Sequence, residues 1–293
     1  MKNKRRDSTA RATAAIRAMH LLYDRPVVFD DPYALQFTRP AFRRICRSRF
    51  FPWLLKWRFI SEMRQPIFAQ VLSRAKYSEE KLEQAVSKGI SQYVVIGAGF
   101  DSFCIRRPDF STGLRIYEID HPTNQQIKQK RLMEILESTL SDVEFLAVDL
   151  EKQTIVDALS GSSFSKNEKA FFSWLGTVPY LSEEAVFSVL RHLASFAANE
   201  SEIVFDYLIP MHFMTQEERR IMARAMRMID LLGEPVKSFF EPDTFPSKIS
   251  QLGYTILDNQ PPAEQNNKYF LDRSDNLKTH SAAYNIHIAV DKD

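Results

Sequence analysis

Cysteine is almost missing from this chain of 293 residues, with Cys46 and Cys104 the only two and no CxxC among them. That excludes a disulfide framework and a cysteine-rich metal site. Histidine is equally thin, six scattered residues without an HxxxH or HExxH, so no metal constellation is expected. Long apolar runs are lacking too. The most membrane-like stretch, Phe50-Phe51-Pro52-Trp53-Leu54-Leu55, is closed by Lys56 and Arg58 far short of a span. It reads as core packing, a lid over an apolar pocket or an interfacial anchor, and stable membrane insertion is not expected. The basic start Met1-Lys2-Asn3-Lys4-Arg5-Arg6 passes into Asp7-Ser8-Thr9 without the apolar region of a signal peptide, so a cytoplasmic protein is the expectation.

Charge of one sign is missing only locally. The chain nets +2, too little to argue for nucleic acid, and its aromatic residues are not interleaved with arginines in a nucleic-acid motif. Residues 1–64, however, hold 15 Lys and Arg against 5 Asp and Glu, whereas the remainder holds 24 against 32. A basic segment of +10 thus joins an acidic body of −8. Either it steers an anionic substrate or it docks as basic helices on an acidic surface.

What is present is a pattern. Residues 9–22, 31–47, 53–74 and 78–88 have helical character, divided by turn signals at Asp30-Asp31-Pro32 and Arg39-Pro40. They form a helical cover, residues 1–90, that belongs to the same domain as residues 91–293. From residue 91 short apolar runs alternate with helical stretches. Strands are expected at 93–96, 115–119, 143–148, 170–174 and 202–206, and helices at 124–136, 155–159 and 183–196. The architecture implied is an α/β open parallel sheet under helices. A methionine-bearing helix over 211–232, part of an insertion around 208–245 suited to an acceptor site, breaks the repetition. Two last strands at 253–257 and 284–290 flank a polar segment, 259–278, that reads as a loop because of Pro261-Pro262.

Chemistry concentrates at the first strand. Tyr93-Val94-Val95-Ile96 runs into Gly97-Ala98-Gly99-Phe100-Asp101, and the second strand ends in Asp120. Missing side chains let a nucleoside approach the turn, and the acid can accept from ribose hydroxyls. Ser102 stands where a full GxGxxG has its third glycine, which disfavours a pyrophosphate and leaves a dinucleotide oxidoreductase as the lesser alternative. Asp149-Leu150, after the third strand, could meet an adenine amino group and cover its ring, or Asp149 could cap the next helix. Asp101 is placed to orient the turn through backbone N–H groups, and Glu118 faces the same way as Asp120 in a supporting role.

Read in order, these pieces resemble the leucine carboxyl methyltransferase family, in particular its bacterial S-adenosylmethionine-dependent branch. The matching stretches are Thr9-Ala10 with Arg17-Ala18, Phe29 to Ala34, Gly97 to Arg106, Tyr117 to Pro122 with Lys128, Ala147 to Leu150, and Ser173 to Gly176 through Tyr180-Leu181. The resemblance implies a class I Rossmann-like fold of about seven strands and S-adenosyl-L-methionine as cofactor. It places the cofactor carboxylate on Arg64, the methionine moiety on Gly97, Ala98 and Gly99, ribose on Asp120, and adenine on Asp149 and Leu150. Where many relatives carry glutamate before the glycine after the fourth strand, this chain has Leu175, leaving only backbone there. The implied activity is methyl transfer to an oxygen of a small-molecule acceptor, acidic or partly apolar, with a catalytically impaired cofactor-binding or protein-interaction module as the alternative. Arg17 is the candidate for orienting an acidic acceptor, and Tyr180 and Tyr207 for lining its cavity; each has a packing alternative, and no histidine is singled out as a base.

Overall fold

Residues buried on both faces of a sheet can be continuously apolar, and the central strands of this computed structural model show it. Every residue of β1 (Gln92–Ile96), β4 (Ala170–Trp174) and β5 (Glu202–Leu208) is buried. With β2 (Arg115–Asp120), β3 (Val143–Ala147), β6 (Tyr254–Gln260) and β7 (Ala283–Val290) they form one sheet in the order β3-β2-β1-β4-β5-β7-β6. The first five strands pair in parallel, whereas β7 runs antiparallel between β5 and β6. The strand order reverses between β1 and β4, which opens a crevice outside their C-terminal ends. The structure describes residues 3–51, 58–110, 113–136, 140, 142–150, 152–231, 235–280 and 282–292, with side chains from residue 8 onward except at 58–66, 228 and 231.

Alternation along the strands sends side chains to two cores. Phe172, Trp174, Phe205 and Tyr207 pack on one face with Leu190 and Leu193 of α7 (Glu183–Phe196) and Phe245 of α9 (Phe245–Ser250). Tyr93, Val95 and Phe171 pack on the other with Tyr77 and Leu82 of α3 (Arg58–Ser87) and Leu132 of α5 (Pro122–Ile135). The N-terminal cover is α1 (Asn3–Tyr23), a 3₁₀ turn (Ala34–Phe37), α2 (Pro40–Cys46) and α3. Short helices α4 (Phe103–Arg106) and α6 (Ile155–Ser160) follow β1 and β3.

Four expected elements differ. Helices 53–74 and 78–88 are one, α3, because buried Tyr77 continues the apolar face through the supposed gap; the expected start at Trp53 lies outside the described residues. The 31–47 helix divides where Pro40 can only begin a new one. The 211–232 helix divides into a 3₁₀ turn (Met211–Phe213) and α8 (Gln216–Leu231), since Thr215 caps α8, accepting from the Glu218 N–H at 3.3 Å while Glu218 accepts its N–H at 2.8 Å. Finally, 259–278 is not all loop: β6 runs to Gln260 and Pro262 sits in the first turn of α10 (Pro262–Tyr269), where its missing N–H costs nothing.

Candidate functional site

The chain leaves β1 through two residues in the left-handed region, Gly97 at φ +69° and Gly99 at φ +50°. A side chain at Gly97 would place its Cβ 2.6 Å from Thr177 Cγ2, and at Gly99 3.3 Å from Ala10 Cβ on α1. Only glycine satisfies both the conformation and the space. The Gly97 and Ala98 N–H groups donate to the Ile119 carbonyl at 2.9 and 3.0 Å, and the Gly99 N–H donates to the Asp120 carboxylate. Its other oxygen accepts from the His121 N–H at 2.5 Å and Asn124 Nδ2 at 3.0 Å. Asp120 therefore binds the ends of β1 and β2 together, at the strand terminus expected of it, and a carboxylate offers about four acceptor positions. Asp101 accepts the Phe103 N–H at 2.7 Å and steers the turn into α4, as its position suggested.

A second glycine turn follows β4. Gly176, at φ +67°, donates its N–H to Asp206 Oδ1 at 2.5 Å, and Asp206 Oδ2 accepts from Arg74 Nη1 at 3.0 Å and Gln70 Nε2 at 3.4 Å. A Cβ on Gly176 would lie 2.3 Å from Arg74 Nη2, so the guanidinium rests directly against the turn. Leu175, just before it, is half-buried and packs its side chain on the second core. Sequence reasoning missed Arg74 and Asp206. An acid inside the run Ile203-Val204-Phe205-Asp206-Tyr207 was the available signal, because a buried carboxylate needs a partner.

Three buried oxygens around these turns have no hydrogen-bond partner: Thr9 Oγ1, Thr177 Oγ1 and Asn124 Oδ1. Thr9 precedes the alanine that abuts Gly99, Thr177 abuts Gly97, and Asn124 holds Asp120. Most buried polar groups are paired, since leaving one unpaired costs about 1–3 kcal/mol. Where these atoms adjoin the two turns, a polar ligand could supply the missing bonds. A nucleoside with hydroxyl and amino groups has the required chemistry, while the space beside Gly97 and Gly99 is itself taken by Thr177 and Ala10.

Asp149 lies at the end of β3, its Oδ2 3.2 Å from Lys152 Nζ and 4.0 Å from His121 Nε2. It does not cap α6, whose N-cap is Thr154 in a reciprocal pair with Asp157. Leu150 beside it is 45% exposed, an apolar surface next to an acid. Glu118 faces the same way as Asp120 but lies fully buried in an ion pair with Lys128. Burial pushes its carboxyl above the usual carboxylate range, against the opposing pull of Lys128.

Other candidates fall elsewhere. Arg17 is buried, its Nε donating to Asp31 Oδ2 at 2.8 Å and its Nη2 to the Phe100 carbonyl at 2.6 Å. The second bond clamps α1 to the glycine turn, so the guanidinium expected to orient an acceptor is already engaged within the chain. Tyr207 is likewise engaged: its ring is fully buried against Phe240, Phe245 and Tyr284, and its hydroxyl donates to Asn259 Oδ1 at 3.1 Å. Alternation within β5 turns it into the core. Tyr180, half-buried on the 3₁₀ turn Val178–Tyr180, stays at the edge near Thr177. The side chain of Arg64 lies outside the described ones; Arg74 comes about 15 Å further along α3 by helix rise. Among the described residues no group of three or more His, Cys, Asp or Glu could hold a metal, and no helix is long and apolar enough to cross a membrane.

Comparison with known proteins identifies the family and the fold. The family model "Leucine carboxyl methyltransferase" matches residues 10–194. Over 301 aligned residues the chain is 30% identical to the Bacillus subtilis protein named "Putative S-adenosyl-L-methionine-dependent methyltransferase YktD", covering 98% of this chain and 99% of that one. Among solved structures, a DUF574 family protein from Streptomyces avermitilis aligns with TM-score 0.58 at 12% identity, covering 96% of this chain and 97% of its own. A Thermobifida fusca protein described as a "putative methyltransferase" gives TM-score 0.58 at 12% identity, with 88% and 93% covered. At such identities these two likenesses concern the fold.

Proposed function

Because the chain belongs to the leucine carboxyl methyltransferase family, with S-adenosyl-L-methionine as its cofactor, we propose that it methylates an oxygen, carboxylate or hydroxyl, of a small-molecule acceptor. The observation that carries the site assignment is the set of unpartnered oxygens of Thr9, Thr177 and Asn124 around the Gly97-Ala98-Gly99 turn. In this reading Asp120 holds the ribose hydroxyls, Asp149 the adenine amino group and Leu150 the ring face. Leu175 contributes backbone near the methionine moiety. Arg74 takes the carboxylate role first expected of Arg64, because its guanidinium already lies at the turn after β4, steadied by Asp206.

When bound, the sulfonium cofactor supplies a methyl group already activated for displacement. The chain's part is alignment, which can contribute several of the roughly 7–11 kcal/mol available to well-oriented reactants. The glycine turns, whose N–H groups are spent on Ile119, Asp120 and Asp206, shape the donor side rather than donate to it. The segment after β5 closes over the opposite side: the Lys237 N–H donates to the Pro179 carbonyl at 2.7 Å and the Phe240 N–H to the Leu208 carbonyl at 2.8 Å. A carboxylate acceptor is ionised near neutrality and needs no base; a hydroxyl requires one within hydrogen-bond reach.

Replacing Asp120 with Ala should weaken donor binding at least about 100-fold by calorimetry, in line with losing charge-assisted hydrogen bonds. Unchanged affinity would sink the assignment. A methyl-transfer screen of cell extract with mass detection then identifies the acceptor, and loss of the label in mild alkali separates an ester from an ether. Donor binding with no turnover across that screen would favour the impaired module suggested by Leu175.

A further inference from the structure

Between Asp31 and Glu62 the chain has seven Lys and Arg and no acidic residue. The described part of this stretch is built to face outward. Cys46 and Phe51 are buried against the N-terminal cover, with the Tyr23 and Phe51 ring centroids 5.7 Å apart and the Tyr23 hydroxyl donating to the Cys46 carbonyl. Their sequence neighbours do the opposite: Ile45 is 54% exposed and Phe50 80%. Arg39, Arg44, Arg47 and Arg49 are exposed around them. Arg43 Nε is buried without a hydrogen-bond partner, and burial together with the like charges of Arg131 and Arg47 lowers the Arg43 pKa. Glu134, already paired with Arg131, is the acid facing this group.

Among the described residues this cluster of guanidiniums outnumbers the acids facing it, which attracts an external anion, and exposed apolar side chains set among them favour a partner with an apolar layer. We propose that α2 and its exit dock the protein on an anionic phospholipid surface, with the arginines over headgroup phosphates and Ile45 and Phe50 in the interfacial layer. That occupant fits better than a nucleic acid, since among the described residues the face pairs a single exposed ring, Phe50, with the aliphatic Ile45 rather than offering a series of rings to successive bases. The face is tied to the candidate site, as Phe37 of the preceding 3₁₀ turn stacks on Phe100 with centroids 5.8 Å apart. An acceptor dissolved in a bilayer would thus be met near the donor.

The test is sedimentation of the full chain with vesicles of phosphatidylcholine alone or mixed with phosphatidylglycerol, at low and high salt. Binding should appear only with the anionic vesicles and fall with salt. Arg44→Gln with Arg47→Gln should lower partitioning about 25-fold, roughly fivefold per charge. Phe50→Ser should lower it about tenfold. Calorimetric donor affinity, unchanged in both variants, reports that they are folded and keeps this readout independent of the methyl-transfer reading. Absence of binding to anionic vesicles overturns the proposal, as does binding indifferent to Phe50→Ser. So does capture of polyuridylate at least as tight as that of vesicles, which would make the face a nucleic-acid site.

Discussion

At the N-terminal ends of the parallel strands, Glu202 is bonded to His287 at 2.7 Å, Ser201 Oγ accepts the Ala170 N–H at 3.1 Å, and the Gln92 amide spends both ends on Ser165 at 2.8 and 2.9 Å. At the C-terminal ends, Thr9, Thr177 and Asn124 keep buried oxygens without partners around two glycine turns. Both ends carry buried acids, amides and hydroxyls. What separates them is completeness: the groups named at one end have closed their hydrogen bonds internally, while those at the other have not, and that is the end proposed to hold the donor.

The contrast can be broken in decreasing steps. Gly97→Val should have the largest effect, a loss of donor affinity of at least about 100-fold, because a side chain collides with Thr177 and strains a positive φ. Retained affinity by calorimetry would mean that the turn is not the donor site. Glu202→Gln should cost about 1–3 kcal/mol in denaturant unfolding by weakening the buried contact to His287, with donor affinity unchanged. Coupled loss of both properties would erase the division between the ends.

Thr177→Val is the sharper test. Removing an unpartnered hydroxyl should leave unfolding within about 0.5 kcal/mol of the parent, while donor binding weakens about fivefold, near 1 kcal/mol. The smallest effect belongs to His280, whose ring nitrogens are also buried without hydrogen-bond partners. Burial holds its pKa below the ordinary 6.5, against the pull of Glu218 and with Lys278 adding to the lowering. The unfolded chain then binds more protons, so stability falls as pH drops through about 6.5 and levels off below the folded pKa. His280→Gln should flatten that part of the melting-temperature profile; an unchanged slope would contradict it.

Much of this division was legible in the sequence, for reasons that differ by residue. The limits of β4 and α7 follow from a short apolar run and from Ser182 at the N-cap, both local signals. Gly97, Gly99, Asp120 and Asp149 are placed by their position at strand ends, and strand ends on one sheet edge converge. Arg74 was not legible, because α3 carries arginines at 58, 64 and 74 and only tertiary packing selects the one that meets Gly176. Nor were the unpartnered oxygens, since satisfaction depends on every neighbour in space. The packing of Arg17 and Tyr207 was hidden on the same ground, each being engaged by residues remote in the chain. Pro261-Pro262 suggested a loop where it opened a helix.

The clamp from Arg17 to the Phe100 carbonyl spans 83 residues of sequence. During synthesis the first helix can dock early on Asp31 and the Ala34–Phe37 turn, but its bond to the glycine turn waits until Phe100 has been made. At roughly 5–20 residues per second that delay is about 4–17 s. Until then Arg17 has only its Asp31 partner, and Ala14 only neighbours such as Phe37 from the same cover. Assembly of the donor end is therefore a late event in the life of the nascent chain, even though its first residues are among the earliest made.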